Sequence, residues 1–207
     1  RLLGPMLRII PVSEVDPLLK RRQARLDKAI ATVEPILAAV RKRGDKAVLS
    51  YARKLDGFKG KSPVVAPAYL EAAAAQLPPD FRSALKMASL NIKAFAKFQL
   101  PKSTVKKFPG GRRLGQIVRP LETVACYIPA GRYPLPSTLL MTAIPAQVAG
   151  VKNVCVTAPK PVTEILGTCH ILGVNQVFLL GWAHAIAAFE YGKGTVPKED
   201  RILGPGT

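Results

Sequence analysis

From residue 124 to residue 207 the chain alternates short apolar segments with stretches of helical periodicity, and few folds accommodate that rhythm. Residues 124–128 form a β-rich apolar run ended by Pro129. Ser137 and Thr138 stand where an N-cap belongs, ahead of Leu139, Leu140, Met141, Ile144 and Val148, and Gly150 stops the pattern. Residues 151–157 read as a second strand, 162–172 as a helix closed by Gly173, and 174–180 as a third strand. A helix over 183–191 ends at Gly192, and 201–203 begins a fourth strand before Gly204-Pro205-Gly206. Strand and helix alternating at this pitch predict parallel strands with right-handed crossovers. The strands read as continuous hydrophobes, so helices should cover both faces. The expected fold class is α/β: a Rossmann-like parallel sheet in three αβα layers over 124–207, preceded by a helix-rich α+β segment over 6–123.

In that first segment, Ser13 to Asp16 opens a short helix and 20–31 is a basic amphipathic one. Thr32 with Pro35 predicts a fresh helix start, whose stripe of Ile36, Leu37 and Val40 ends at Gly44. Asp45 should cap the next helix, which runs to Tyr51, and 56–67 reads as loop. Two more helices are expected over 67–77 and 79–100, the second with Phe81, Leu85, Ala88, Ile92 and Phe95 at helical spacing, then short strands around Pro109-Gly110-Gly111. Met6 looks like a natural start, which makes residues 1–5 an expected upstream remnant.

A chain of 207 residues with 48% hydrophobic content can build a real core. No apolar run is long enough to span a bilayer, and residues 1–11 lack a signal peptide's apolar centre, so a cytoplasmic protein without membrane contact is expected. The net charge of +18 sits almost entirely in residues 1–125. Its lysines, such as Lys28, Lys86, Lys93 and Lys97, stand singly on the polar sides of helices. That placement reads as a solvated or partner-facing surface rather than a nucleic-acid site, since aromatic interleaving and a nucleic-acid motif are both lacking. Cys126, Cys155 and Cys169 have none of the close spacings of metal sites and read as core thiols. His170 falls mid-helix, an ordinary place, whereas His184 falls in the first turn after the third strand.

Open α/β sheets receive ligands beyond the carboxyl ends of their strands. Here those ends are residues 127–132, 158–161, 181–184 and 204–207. They include the string Y-I-P-A-G-R-Y-P-L-P-S-T-L-L-M-T-A-I-P-A-Q-V-A-G-V, which resembles the signature region of the histidinol dehydrogenase family. So do A-H-A-I-A-A-F-E-Y-G, T-V-P-K-E-D-R-I-L-G-P-G and, upstream, V-R-K-R-G-D-K-A-V-L-S-Y-A-R-K-L-D-G. Four segments in the right order across most of the chain are far more specific than one short motif.

The resemblance implies an NAD- and zinc-dependent homodimeric enzyme that oxidises L-histidinol through the aldehyde to L-histidine, in histidine biosynthesis. It makes 124–207 a dinucleotide-binding domain and matches three positions to cofactor contacts: Tyr127, His184 where the family has glutamine, and Thr207 where it has asparagine. Ala130 replaces a glycine of the family's P-G-G loop, and Trp182 replaces another glycine. By the same resemblance the zinc ligands and the general acid and base are expected beyond residue 207, so catalytic and metal residues within this chain are expected to be none, and the isolated chain inactive. Two alternatives stay open: a dehydrogenase of another alcohol such as a sulfonated diol, and a non-catalytic remnant binding anionic partners.

Overall fold

The structure is a computed structural model that describes residues 10–129, 135–192 and 194–205. After a 3-10 turn at Val12–Glu14 the chain enters one continuous helix, α1 (Val15–Arg43). The expected restart at Thr32 and Pro35 does not occur, for a local reason. Pro35 removes one helical N–H, yet Ala31 and Pro35 are both exposed, so the freed carbonyl opens to solvent rather than to the core. Thr32 Oγ1 meanwhile donates to the Lys28 carbonyl at 3.0 Å and stays within the helical pattern. Gly44 ends α1 at φ 56°, its N–H on the Val40 carbonyl at 2.8 Å.

Helix α2 (Asp45–Tyr51) follows directly and runs into a π-helical turn, Ala52–Asp56, that closes at Gly57. Asp45 does not cap α2 as expected. Its Oδ2 instead accepts from the Thr195 N–H and Oγ1 at 2.9 and 2.7 Å, tying the start of α2 to a distant loop. Helices α3 (Pro67–Ala75) and α4 (Pro79–Gln99) each begin on proline, whose fixed φ and missing N–H suit the first helical position. Strands β1 (Thr104–Lys107) and β2 (Arg113–Gln116) then form an exposed antiparallel hairpin.

The second half alternates β3 (Thr123–Tyr127), α5 (Pro136–Val148), β4 (Asn153–Thr157), α6 (Thr163–Ile171), β5 (Gln176–Phe178), α7 (Trp182–Tyr191) and β6 (Arg201–Leu203). Ser137 and Thr138 lie inside α5 rather than capping it. Pro136 takes the first helical position, with Leu135 as the flanking residue, so no side-chain cap is needed there. The four strands are parallel and lie in the order β5-β4-β3-β6. The loop expected over 56–67 also contributes to the sheet: Val65 donates to Val177 and Leu179 to Pro63, at 2.8 and 2.7 Å, covering the outer edge of β5.

Helices cover both faces. Val124, Cys126, Ile128, Val156 and Val177 pack with Leu70 of α3, Leu139 and Ala143 of α5 and Ile165 and Cys169 of α6. On the other face Ala125, Cys155, Phe178 and Leu180 pack with Val40 of α1, Val48 of α2 and Phe189 of α7. Phe178 and Phe189 meet edge to face, their ring centroids 5.3 Å apart, the arrangement their quadrupoles favour. Each such fully buried side chain contributes roughly 1.5–3 kcal/mol. The helices of the first half thus share both cores with the sheet of the second. On α4 only Leu85 of the expected stripe is buried, against Leu140 and Ile144, while Phe95 is exposed. Among the described residues no helix is long and apolar enough to cross a membrane.

Two acidic neighbours flank the start of β6. Asp200 Oδ2 accepts the Glu122 and Thr123 N–H groups at 2.9 and 3.0 Å, clamping β6 to β3, and these bonds draw its pKa below 3.8. Glu199 is buried, and its carboxyl oxygens lack hydrogen-bond partners among the described residues. Burial raises its pKa above 4.5, against the weaker opposing pull of Cys155 and Thr123. The folded chain therefore holds this proton more tightly than the unfolded one. The stabilisation is full below 4.5 and is lost as pH rises through the raised value. Glu199→Gln, which cannot ionise, should raise the melting temperature by several degrees at neutral pH. That gain should disappear below pH 4.5 when thermal unfolding is followed across pH.

Candidate functional site

Successive strands step one way from β3 to β4 to β5, and then β6 returns to the opposite side of β3. Such a reversal leaves a crevice at the carboxyl ends of the two strands beside it, the place where open α/β sheets receive ligands. Tyr127 ends β3 there and Gly204 follows β6. A Cβ on Gly204 would stand 2.7 Å from the Tyr127 carbonyl oxygen and 3.0 Å from the Tyr127 Cβ, so a larger residue would force the two strand ends apart. Ala130 and Thr207 lie outside the described residues.

The N-terminus of α7 reaches the same rim. The Trp182 N–H donates to Tyr127 Oη at 3.2 Å. Trp182 has φ 49°, alone among the described residues other than glycine in being left-handed. A side chain in that region costs roughly 1–2 kcal/mol, and Trp182 is 64% exposed. Gly181, just before it, sits so close to Pro159 and Asp56 that a Cβ would fall 2.7 Å from the Pro159 Cβ and 2.9 Å from Asp56 Oδ1. The carboxyl ends of all four strands are thereby linked in one place, through Tyr127, Pro159, Gly181 and Gly204.

His184, one turn into α7, points into the protein. Its side chain is fully buried, and its ring stacks on Tyr51 with centroids 6.3 Å apart. Nε2 lies 2.9 Å from Asp56 Oδ2, which also accepts the Gly181 N–H at 3.0 Å. Burial lowers the His184 pKa below 6.5, outweighing the opposite pull of Asp56. The ring is neutral at pH 7, and the Asp56 contact assigns its proton to Nε2. Asp56 is the residue that sequence reasoning missed. Asp56-Gly57 opens the stretch 56–67 that reads as loop, and the partner of Asp56 stands 128 positions away.

The remaining candidates are inert. Cys126, Cys155 and Cys169 are buried, and burial pushes their thiols up, to about 11 for Cys126 and about 12 for Cys169. Among the described residues no three His, Cys, Asp or Glu side chains come together as a metal site requires, so their donor set does not fit zinc. Away from the rim, a groove of about 640 Å³ between α4, α5 and α6 is lined by Lys86, Lys93 and Lys97 over Leu90, Ile144 and Val148.

Two measurements test the Asp56 clamp. Asp56→Ala leaves the Gly181 N–H and His184 Nε2 buried without an acceptor, and should cost about 3 kcal/mol or more by urea denaturation. Because the folded state disfavours a proton on His184, this residue's contribution is intact above pH 6.5 and is lost as pH falls toward the lowered value. His184→Gln can still donate to Asp56, and its unfolding profile should be flatter than the parent's on the acid side of 6.5.

The family model for histidinol dehydrogenase matches residues 19–207. The histidinol dehydrogenase of Prochlorococcus marinus (strain MIT 9313) is 40% identical over 199 residues, covering 93% of this chain and 45% of that protein. That of Chlorobaculum tepidum is 42% identical over 180 residues, covering 84% and 42%. The crystal structure of histidinol dehydrogenase from Elizabethkingia anophelis shares the fold at a TM-score of 0.81 and 31% identity, over 86% of this chain and 42% of that one. The chain spans less than half the length of these relatives. Reaching nearly from end to end, and accompanied by the same arrangement of sheet and helices, the match establishes that this chain belongs to the histidinol dehydrogenase family.

Proposed function

We propose that this chain supplies the nucleotide-binding rim of a histidinol dehydrogenase, an enzyme that oxidises L-histidinol through the aldehyde to L-histidine with NAD as hydride acceptor. The observation that favours this reading is the reversal of strand order at β3, where Tyr127 receives the Trp182 N–H on one side and the close approach of Gly204 on the other. The residues present suit a dinucleotide in two respects. Gly204 leaves no side chain against the Tyr127 backbone, and the Tyr127 ring ends the strand with an aromatic face and a polar tip.

In this reading NAD, when bound, supplies the hydride acceptor, and the protein supplies placement. Tyr127 orients the nucleotide directly, and Thr207 belongs to the same site. His184 serves it from within: its bond to Asp56 steadies the oxygen that holds Gly181, and so fixes the turn that carries Trp182 to the rim. No step is assigned to zinc, because the described residues offer no ligand set for it. Association as a homodimer belongs to the same proposal, and the exposed Met87, Leu90, Phe95 and Phe98 of α4 supply apolar surface for it.

Calorimetric titration of the 207-residue chain with NAD should show saturable binding. Gly204→Ala should abolish most of that binding while the chain stays folded by circular dichroism. Histidinol and NAD together should yield no NADH with this chain alone. Failure of the parent chain to bind NAD overturns the proposal.

A further inference from the structure

We infer that Trp182 is a binding residue of the rim, and that its indole stacks on a planar ring of the bound nucleotide. This rests on the nucleotide reading of the β3–β6 crevice. Trp182 is the chain's one tryptophan, and it occupies a left-handed conformation, φ 49°, that a bulky side chain rarely adopts. Such strain persists where the surroundings over-determine it and clusters at ligand-binding positions. The surroundings here are explicit: Tyr127 Oη accepts the Trp182 N–H, and Asp56 accepts the N–H of the preceding Gly181. Both hydrogen bonds involve backbone donors and would survive with glycine at position 182.

The indole itself gains little within the chain, because Trp182 is 64% exposed and belongs to none of the buried clusters. The two hydrogen bonds hold the turn whatever side chain it carries, so nothing further in the fold favours a large one at this position. An external partner does, and the side chain's chemistry defines it. A broad aromatic face held at the rim by a fixed backbone suits a flat ring, as the base or the nicotinamide of a dinucleotide presents. Because both ends of the turn are pinned, the backbone that carries the indole is placed before the ligand arrives, which lowers the ordering cost of binding.

Calorimetric titration with NAD of the parent chain, Trp182→Gly and Trp182→Phe tests this, together with tryptophan emission and thermal unfolding. The parent's emission should change saturably with NAD and follow the calorimetric isotherm. Trp182→Gly should bind about tenfold more weakly, as loss of one stacking partner requires, and yet melt at a higher temperature because the strain is relieved. Trp182→Phe, which keeps a ring in the same backbone, should retain most of the affinity. If the parent binds NAD with constant emission and Trp182→Gly binds equally well, the stacking role is overturned while the nucleotide site stands. If the parent shows no calorimetric binding, both fall.

Discussion

The double pairing of β3 is the constraint on which the rest depends. Thr123–Tyr127 is hydrogen-bonded to β4 on one edge and β6 on the other, and its Val124, Ala125 and Cys126 are buried, on alternating faces. A strand so enclosed has no solvent to satisfy its backbone, so every ladder bond must be made by a neighbouring strand. Chain order assigns β4 to the first edge, leaving the second for the strand that returns last. Asp200 makes that return determinate by receiving the first amides of β3 just before β6 begins. The switch point above Tyr127 is a by-product of this arrangement.

Much of the second half was legible in the sequence because each strand and helix there is bounded by its own punctuation. Gly150, Gly173 and Gly192 all close helices with positive φ, and strands as apolar as 124–128 and 151–157 demand cover on both faces. The first half was less legible at positions where local chemistry competes with tertiary context. Pro35 is a helix breaker by propensity, yet on the outer side of a long helix it removes a bond that solvent can replace. Residues 63–65 have the composition of a loop but lie along β5, a pairing set by the sheet's exposed edge.

The rim shows the same division. The position of Tyr127 at the end of β3 follows from pattern alone, since a strand must end where Pro129 begins a loop. The inward turn of His184 does not, because it depends on Asp56, delivered by a π-helical turn that no local signal announces. Loop residues were expected around position 56, and loops are ordinarily surface features. Asp56 is instead enclosed, its one oxygen shared between a backbone amide and an imidazole of the second half. The two halves of the chain are joined by that atom as well as by their common cores.

The three cysteines have a consequence of their own. Each thiol lies inside the layered core with its ionisation suppressed, so neither alkylating reagents nor disulfide exchange can reach a reactive thiolate while the layers stay together. Cys126 and Cys155 face opposite sides of the sheet, and Cys169 belongs to the helix layer beside Cys126. Their rates of labelling therefore form an internal clock for how often each layer lifts from the sheet, with no engineered residue needed.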